Sequence, residues 1–297
     1  MSTESAAETN KPPAGWGRTD RKRLLIWVAI AFVAPLALGF PLHLVRGSSD
    51  PVMSVQRELP TKALMAFSVL LATWIVARMD KRPLADYGIP VRQAFGRRFW
   101  EGMVWGFAML SAILWAMRVT GNFRINSAAL SENAAFRWAL GWGVTFLAVS
   151  LSEELGFRGY FLFVMSRRML FWPAALFLSA AFGIAHVPNP GENALGILQV
   201  VGIGLLFCLM IRRTGNLWFA IGFHAAWDWA ETFFYGTADS GRLGAGRLLN
   251  SSVQGPNWLT GGSAGPEGSI YAIGILFVCA ALIHLRFPKA IYPDRPA

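Results

Sequence analysis

Apolar runs recur along most of the chain, and short polar segments separate them. A helix that crosses a bilayer core of ~30 Å needs roughly 17–25 residues, and most of these runs have that length. The pattern therefore predicts an all-α, polytopic membrane protein with about eight transmembrane helices. The predicted spans are 24–45, 62–78, 99–117, 138–166, 169–187, 194–211, 215–235 and 269–286.

The polar segments divide the chain into a tail and a single domain. Residues 1–22 are polar and end in basic residues, which predicts a disordered cytoplasmic tail, and residues 23–290 are predicted to form one helical membrane domain. The loop 236–268 is rich in Gly and Ser and is predicted to be irregular. It is long enough to fold over a site, and a solvated connector is the other interpretation.

Composition supports the membrane interpretation and excludes an ordinary soluble enzyme. Hydrophobic residues make up 54% of the chain and charged residues 15%, against roughly 25% charged in a typical soluble domain. The net charge of +10 indicates topology here rather than a nucleic-acid partner. The tail and alternate loops hold more than twice as many Lys and Arg residues as the opposite loops. This asymmetry predicts that both termini are cytoplasmic.

Three charged side chains interrupt the fourth predicted span: Glu153, Glu154 and Arg158. Burying charge in hydrocarbon costs several kcal/mol unless the charge is paired, so ionisable residues in a span are functional candidates. Glu154 and Arg158 are four residues apart and can pair on one helix face. Glu153 is rotated about 100° from Glu154, which leaves its carboxylate for another task.

Two histidines lie in other predicted spans. His186 ends the fifth span, and His224 precedes Asp228 by four residues on one face of the seventh, with Glu231 about one turn further on. A carboxylate such as Glu153 in a partly dry pocket can act as general base to a water. Glu153, His186 and His224 are alternatively a possible ligand set for a divalent metal ion such as zinc, with an open position for water.

Structural interpretations of the same residues remain open. Glu154 with Arg158 can be a buried pair without a catalytic part, and His186 can cap the end of its helix. His224 with Asp228 can be a hydrogen-bonded pair that holds two helices together. Straight helices would also place these groups at different heights in the membrane, so tilt, a short fifth segment or unwound helix ends are required. The two cysteines, Cys208 and Cys279, lie in apolar runs and are predicted to be packing residues.

Three motifs together carry a resemblance to a known family. They are Glu-Glu-x-x-x-Arg at 153–158, Phe-x-x-x-His at 182–186 and His-x-x-x-Asp at 224–228. In this order they resemble the motif set of the CAAX prenyl protease and bacteriocin-processing family, also called the abortive-infection family, of intramembrane metalloproteases. The resemblance covers residues 137–235, and the stretch 213–224 is similar to bacterial members.

The resemblance implies an eight-helix intramembrane endopeptidase of the bacterial inner membrane, acting on a peptide or protein substrate within the lipid bilayer. It implies that Glu153 activates the water and that His186 and His224 either stabilise the oxyanion or bind a metal. Glu154 and Arg158 match the remaining motif positions. Asp228 departs from the prenyl-protein processing members, which have Asn. An ionised Asp cannot donate a hydrogen bond to an oxyanion, so this departure favours a metal ligand or a partner for His224.

Two other functions are compatible with the same residues. A non-proteolytic immunity factor or scaffold would keep the fold without needing Glu153. A transporter of protons or small molecules would use the buried carboxylates, although the chain has no paired inverted repeats with interrupted helices. Nucleic acid is not an expected partner.

Overall fold

The computed structural model describes residues 18–37 and 52–296, and helices dominate this part of the chain. The helices are α1 (Arg18–Val28), α2 (Val55–Asp80), α3 (Arg97–Val119), α4 (Glu132–Leu155), α5 (Phe161–Met169), α6 (Phe171–His186), α7 (Ala194–Thr214), α8 (Trp218–Trp229), α9 (Asn257–Thr260) and α10 (Ile270–Arg286). Wider, π-helical turns follow three of them, at Ala29–Val33, Gly156–Tyr160 and Ala230–Tyr235. Short 3-10 turns occupy Leu84–Tyr87, Val91–Gln93 and Pro266–Gly268.

The helices coincide with the apolar runs of the sequence. Four of the described segments are long and apolar enough to cross a membrane: α2, α3, the continuous segment Glu132–Met169 and α7. The predicted fifth and eighth spans correspond to α6 and α10, which are shorter apolar helices. An integral membrane protein is therefore supported, and the count of eight spans stays a prediction.

The prediction of a disordered tail is wrong for its last residues, 18–22. Helix α1 begins at Arg18, within the predicted tail 1–22, because its polar residues find partners on neighbouring elements. Asp20 forms an ion pair with Arg168, and Arg23 Nε lies 2.8 Å from Asp80 Oδ1. Residues 1–17 and the predicted end of the first span, 38–45, lie outside the described residues.

The long segment Glu132–Met169 bends just after the adjacent residues Glu153 and Glu154. Residue Gly159, within the π-helical turn, has non-helical dihedral angles (φ −86°, ψ −106°). A Cβ at this position would lie 2.5 Å from Leu155 Cδ1, so any larger residue would require the Leu155 side chain to move. Turns of this kind bend helices and are frequent at functional sites. The next helix starts after Leu170, whose positive φ of 72° separates α5 from α6.

Helices α3 and α8 cross at glycine contacts. A Cβ on Gly102 would lie 2.1 Å from the Phe219 carbonyl oxygen, and a Cβ on Gly106 would lie 2.1 Å from that of Phe223. Small residues spaced by four allow this close backbone approach between membrane helices. The crossing fixes the position of the helix that carries His224.

The loop 236–268, which we call the strap, is not irregular as predicted, and the chain is mostly helical rather than all-α. Five short strands form two small sheets in the described part: β1 (Val52–Met53), β2 (Phe123–Ala128), β3 (Ala238–Asp239), β4 (Arg242–Gly244) and β5 (Leu249–Val253). Strand β4 lies between β1, in parallel, and β3, antiparallel, while β5 pairs antiparallel with β2. The strap thus satisfies backbone groups by pairing with two distant segments.

Candidate active site

A cavity of about 190 Å³ lies between α2, α4, α6, α7, α8 and the strap. Four of the residues singled out from the sequence line it: Glu153, His186, His224 and Asp228. These groups share one cavity, although straight helices would keep them at different heights, and His186 lies at the end of the short helix α6. The strap lines the cavity as well, so it folds over this site and is not a free connector.

The imidazole of His224 is the centre of the polar contacts. Its Nδ1 donates a hydrogen bond to Glu154 Oε1 over 2.9 Å. Its Nε2 lies 3.4 Å from Asp228 Oδ2 and 3.9 Å from Glu153 Oε2. The ring also stacks on Phe207, with centroids 5.5 Å apart. Asp228 therefore lies within ion-pair distance of the ring on the same helix, and it is the hydrogen bond to Glu154 that joins α8 to α4.

Two charged residues, Glu154 and Arg158, lie on the side of His224 that faces away from the cavity, and they do not line it. Arg158 Nη1 donates to Glu154 Oε1 over 3.0 Å, and both side chains are fully buried, which confirms the predicted pair. The guanidinium lies 4.2 Å from the ring centroid of Phe182, a cation–π contact. Gly204 leaves room for it, since a Cβ there would lie 2.7 Å from Arg158 Nη2. No pattern in the sequence predicted this last contact.

His186 contacts its own helix and faces the cavity at the same time. Its Nδ1 donates to the Phe182 carbonyl oxygen over 2.8 Å, and its ring packs against the Phe182 ring with centroids 4.4 Å apart. The bond at Nδ1 leaves Nε2 as the nitrogen that can accept a proton or bind a cation. The structural interpretation of His186 and the functional one are therefore compatible.

The groups around His224 determine the protonation state of its Nε2. Nδ1 faces a carboxylate oxygen that only accepts, so Nδ1 holds a hydrogen. Nε2 faces two further carboxylates, Glu153 and Asp228, and a bare lone pair there would repel them. Nε2 therefore carries a proton or faces a cation. In the protonated state the ring is an imidazolium that can donate a hydrogen bond to a developing negative charge.

The predicted metal ligands fit one ion only in part. Glu153 and His224 approach to 3.9 Å, which is longer than the separation of two tetrahedral ligands that each lie about 2.0–2.2 Å from one zinc ion. Glu153, His186 and His224 are not among the groups of three, in residues 18–37 and 52–296, whose ligand atoms all lie within 4.8 Å of one another. Metal binding by these three residues stays a prediction.

The strap contributes acidic residues that the sequence analysis did not single out. Asp239 and Glu267 line the cavity, and Arg242 Nη2 donates to Glu58 Oε1 over 2.6 Å at its edge. Burial and the charge of Asp239 raise the pKa of Glu267 to about 8. Burial likewise raises the pKa of Asp239, against a hydrogen bond from Thr232 that lowers it. Charged residues inside a loop rich in glycine were the one signal available.

Comparison with known proteins supports the family resemblance that the three motifs carry. No curated protein matches the chain. Residues 133–230, about a third of the chain, match the family model of the Rce1-like type II CAAX prenyl endopeptidases. The matched segment runs from α4 to α8 and contains all three motifs. The resemblance to the CAAX protease family is thereby confirmed over this segment, and the family indicates a protease of the membrane.

Proposed function

We propose that the protein is an intramembrane endopeptidase that hydrolyses a peptide bond of a membrane-associated substrate. The observation that carries this proposal is the approach of Glu153 Oε2 to His224 Nε2, 3.9 Å apart on the wall of a cavity within the helices. A general base and a hydrogen-bond donor at this separation can flank one water and one carbonyl group. The family match supplies the reaction class.

The proposed reaction uses Glu153 as a proton carrier. Glu153 takes a proton from a water while the water oxygen bonds to the carbonyl carbon of the scissile peptide. The carbonyl oxygen becomes an oxyanion, which the Nε2–H of His224 stabilises. The carbon–nitrogen bond then breaks, and the proton held by Glu153 passes to the leaving nitrogen. The products are a carboxylic acid and an amine, and Glu153 returns to its starting form.

The remaining motif residues have supporting roles in this proposal. Glu154 accepts from His224 Nδ1 and so holds the ring in one orientation, and Arg158 balances the charge of Glu154. Asp228 stabilises the imidazolium from the side, at 3.4 Å. His186 presents Nε2 to the cavity as a second group for the oxyanion or for the leaving nitrogen.

The cavity restricts the substrate. Pockets for drug-sized ligands enclose roughly 300–1,000 Å³, and this cavity of about 190 Å³ is smaller. It has room for a short extended stretch of peptide and not for a folded chain. The substrate class we propose is therefore a flexible terminus or linker of a protein held at the bilayer.

The test is cleavage by the purified full-length protein in proteoliposomes. Peptides with CAAX-type C-termini, with and without an isoprenyl group, are offered together with membrane proteins from the same cells, and mass spectrometry locates new termini. Glu153→Gln and His224→Ala are each expected to lower kcat by at least ~10²-fold, the usual contribution of a general base. Glu132→Gln, in the exposed first turn of α4, is the matched control.

Full activity of both Glu153→Gln and His224→Ala would overturn the proposed chemistry. The non-proteolytic scaffold is the second outcome of the same experiment. In that case no substrate is cleaved, and Glu153→Gln still supports the biological role of the protein in cells. The transporter is recognised by flux into proteoliposomes that Glu153→Gln abolishes.

A further inference from the structure

Three carboxylates outside the proposed catalytic set meet where the strap joins the helices. Glu231 belongs to the turn after α8, Asp239 to β3 and Glu267 to the turn Pro266–Gly268. One oxygen of each lies within 4.8 Å of the others. Asp239 and Glu267 border the cavity, which gives the cluster a route to water.

Glu231 is the observation that distinguishes this cluster from an ordinary acidic patch. Its side chain is 0% exposed, and neither carboxylate oxygen has a hydrogen-bond partner. The other two acids are partly satisfied. Asp239 Oδ2 accepts from Thr232, and Glu267 Oε1 accepts from the backbone N–H of Ser240 over 2.8 Å. Buried carboxylates are normally hydrogen-bonded, paired with a positive charge or bound to a metal ion, so Glu231 is suited to a cation.

The backbone of the strap closes tightly around Glu231. A Cβ on Gly265 would lie 3.3 Å from Glu231 Oε1 and 2.2 Å from the Ala238 carbonyl oxygen. The N–H of Thr237 donates to the backbone oxygen of Glu231 over 3.0 Å. The main chain of the strap therefore packs against Glu231, and one carboxylate oxygen of Glu231 lies within 4.8 Å of an oxygen of each of the two other acids.

We infer that Glu231, Asp239 and Glu267 bind one hard divalent cation of the calcium or magnesium class. Three carboxylates that converge from separate segments offer only oxygen ligands, which these ions prefer, whereas zinc favours nitrogen and sulfur. Water from the cavity completes the coordination shell. Arg242 does not fill this role, because its guanidinium pairs with Glu58.

The ion ties the strap to the membrane helices. Glu231 is anchored in the helical segment that carries His224, whereas Asp239 and Glu267 lie at the two ends of the strap's path over the cavity. Removal of the ion leaves like charges in contact and loosens the strap. This site is independent of the proteolysis proposed above, because it uses none of the same residues.

The test is metal binding by the full-length protein, purified in detergent and freed of metal with a chelator. Calcium, magnesium and zinc are titrated separately by calorimetry, and the bound ion is counted by elemental analysis. We expect one calcium or magnesium ion per chain, a higher melting temperature and slower tryptic cleavage in the strap. Glu231→Gln, Asp239→Asn and Glu267→Gln are each expected to weaken binding at least tenfold.

Two controls keep the outcome interpretable. Glu132→Gln changes an exposed carboxylate in the first turn of α4, and Glu153→Gln changes the catalytic cavity; both should bind the ion as the unaltered protein does. Loss of the ion in Glu153→Gln but not in Asp239→Asn would place it in the catalytic cavity and overturn the inference. Equal affinity in all cluster variants that fold, or no bound ion at all, would overturn it as well.

Discussion

Glu154 Oε1 lies 2.9 Å from His224 Nδ1 and, on its other side, 3.0 Å from Arg158 Nη1. One buried carboxylate oxygen therefore joins the proposed catalytic imidazole to a buried guanidinium. A carboxylate in this position fixes the tautomer of a histidine and increases the basicity of its far nitrogen. The two adjacent glutamates thus have different surroundings, since Glu153 faces the cavity and Glu154 faces the protein interior.

Glu154→Gln is expected to lower both stability and kcat while KM changes little. The substitution leaves Arg158 buried without its opposite charge, and breaking a buried pair in this way costs about 3–5 kcal/mol. His224 loses the charge that orients it for the transition state, so the effect falls on kcat. The measurements are thermal unfolding in detergent and the kinetics of the cleavage assay.

A double-mutant cycle measures the interaction energy between Glu154 and Arg158 separately from the effect of each single substitution. Glu154→Gln with Arg158→Met together should be more stable than either single variant, because no unpaired charge remains buried. Asp86→Asn is the control, since it breaks the partly exposed i,i+4 pair with Arg82 and should cost less than about 1 kcal/mol. Strictly additive losses in the cycle would show that Glu154 and Arg158 do not depend on each other.

Asp228→Asn is expected to retain most of the cleavage activity, and Asp228→Ala to lose it. Asn keeps a polar oxygen beside His224 Nε2, which lies 3.4 Å from Asp228 Oδ2. Alanine removes both the charge and the polar oxygen beside the imidazolium, and the loss of such a partner of a charged group costs about 1.5–3 kcal/mol, or roughly 10- to 150-fold in kcat/KM. Equal activity of the alanine variant would show that Asp228 is not a partner of the catalytic ring.

Local patterns in the sequence were sufficient for the residues that share a helix. The spacing of four predicted the pair Glu154–Arg158 and the contact His224–Asp228, because residues four apart lie on one helix face whatever the tertiary structure. Hydropathy likewise predicted the helices, since the requirement to bury backbone polar groups in lipid leaves few alternatives.

These local patterns could not predict contacts between segments that are distant in sequence. The contact of Glu154 with His224 was not predicted, because helix periodicity contains no information on tilt or on the turns after α4 and α8. The strap was predicted to be irregular because strands of two to five residues carry no recognisable alternation, and their partners are far away in sequence. Asp239 and Glu267 were missed for the same reason.

The crossing of α3 and α8 predicts opposite effects for two glycine substitutions. Alanine favours a helix over glycine by about 1 kcal/mol where space allows. A Cβ on Gly274, in α10, meets nothing within 4 Å, so Gly274→Ala should be neutral or slightly stabilising. A Cβ on Gly106 would lie 2.1 Å from the Phe223 carbonyl oxygen, so Gly106→Ala should destabilise by about 1–3 kcal/mol, the usual cost of overpacking.

Thermal unfolding of the two purified variants gives this comparison directly. Gly106→Ala should also reduce cleavage, because Phe223 directly precedes His224 and any shift of α8 moves the imidazole away from Glu153. The interpretation of the crossing as a close glycine contact fails if Gly106→Ala is as stable and as active as Gly274→Ala.

Stability in the presence of a chelator is expected to fall as the pH rises from about 5 toward 8. The pKa of Glu267 is raised from its ordinary value of 4.5 to about 8, by burial first and by the neighbouring charges of Asp239 and Glu192 next. Between pH 4.5 and about 8, Glu267 of the folded chain holds a proton that Glu267 of the unfolded chain has already released. Each increase in pH within this window therefore favours the unfolded chain.

Melting temperatures measured between pH 5 and 9 by tryptophan fluorescence test this sign. Glu267→Gln, which cannot release a proton, should reduce the dependence on pH over this range, whereas Glu132→Gln, far along α4, should leave it unchanged. Calcium or magnesium should restore stability at pH 8, because the ion replaces the missing proton as the positive partner of the three acids. A melting temperature in chelator that rises from pH 5 to 8 would contradict the shift of Glu267, since an acid with a lowered pKa produces that opposite slope.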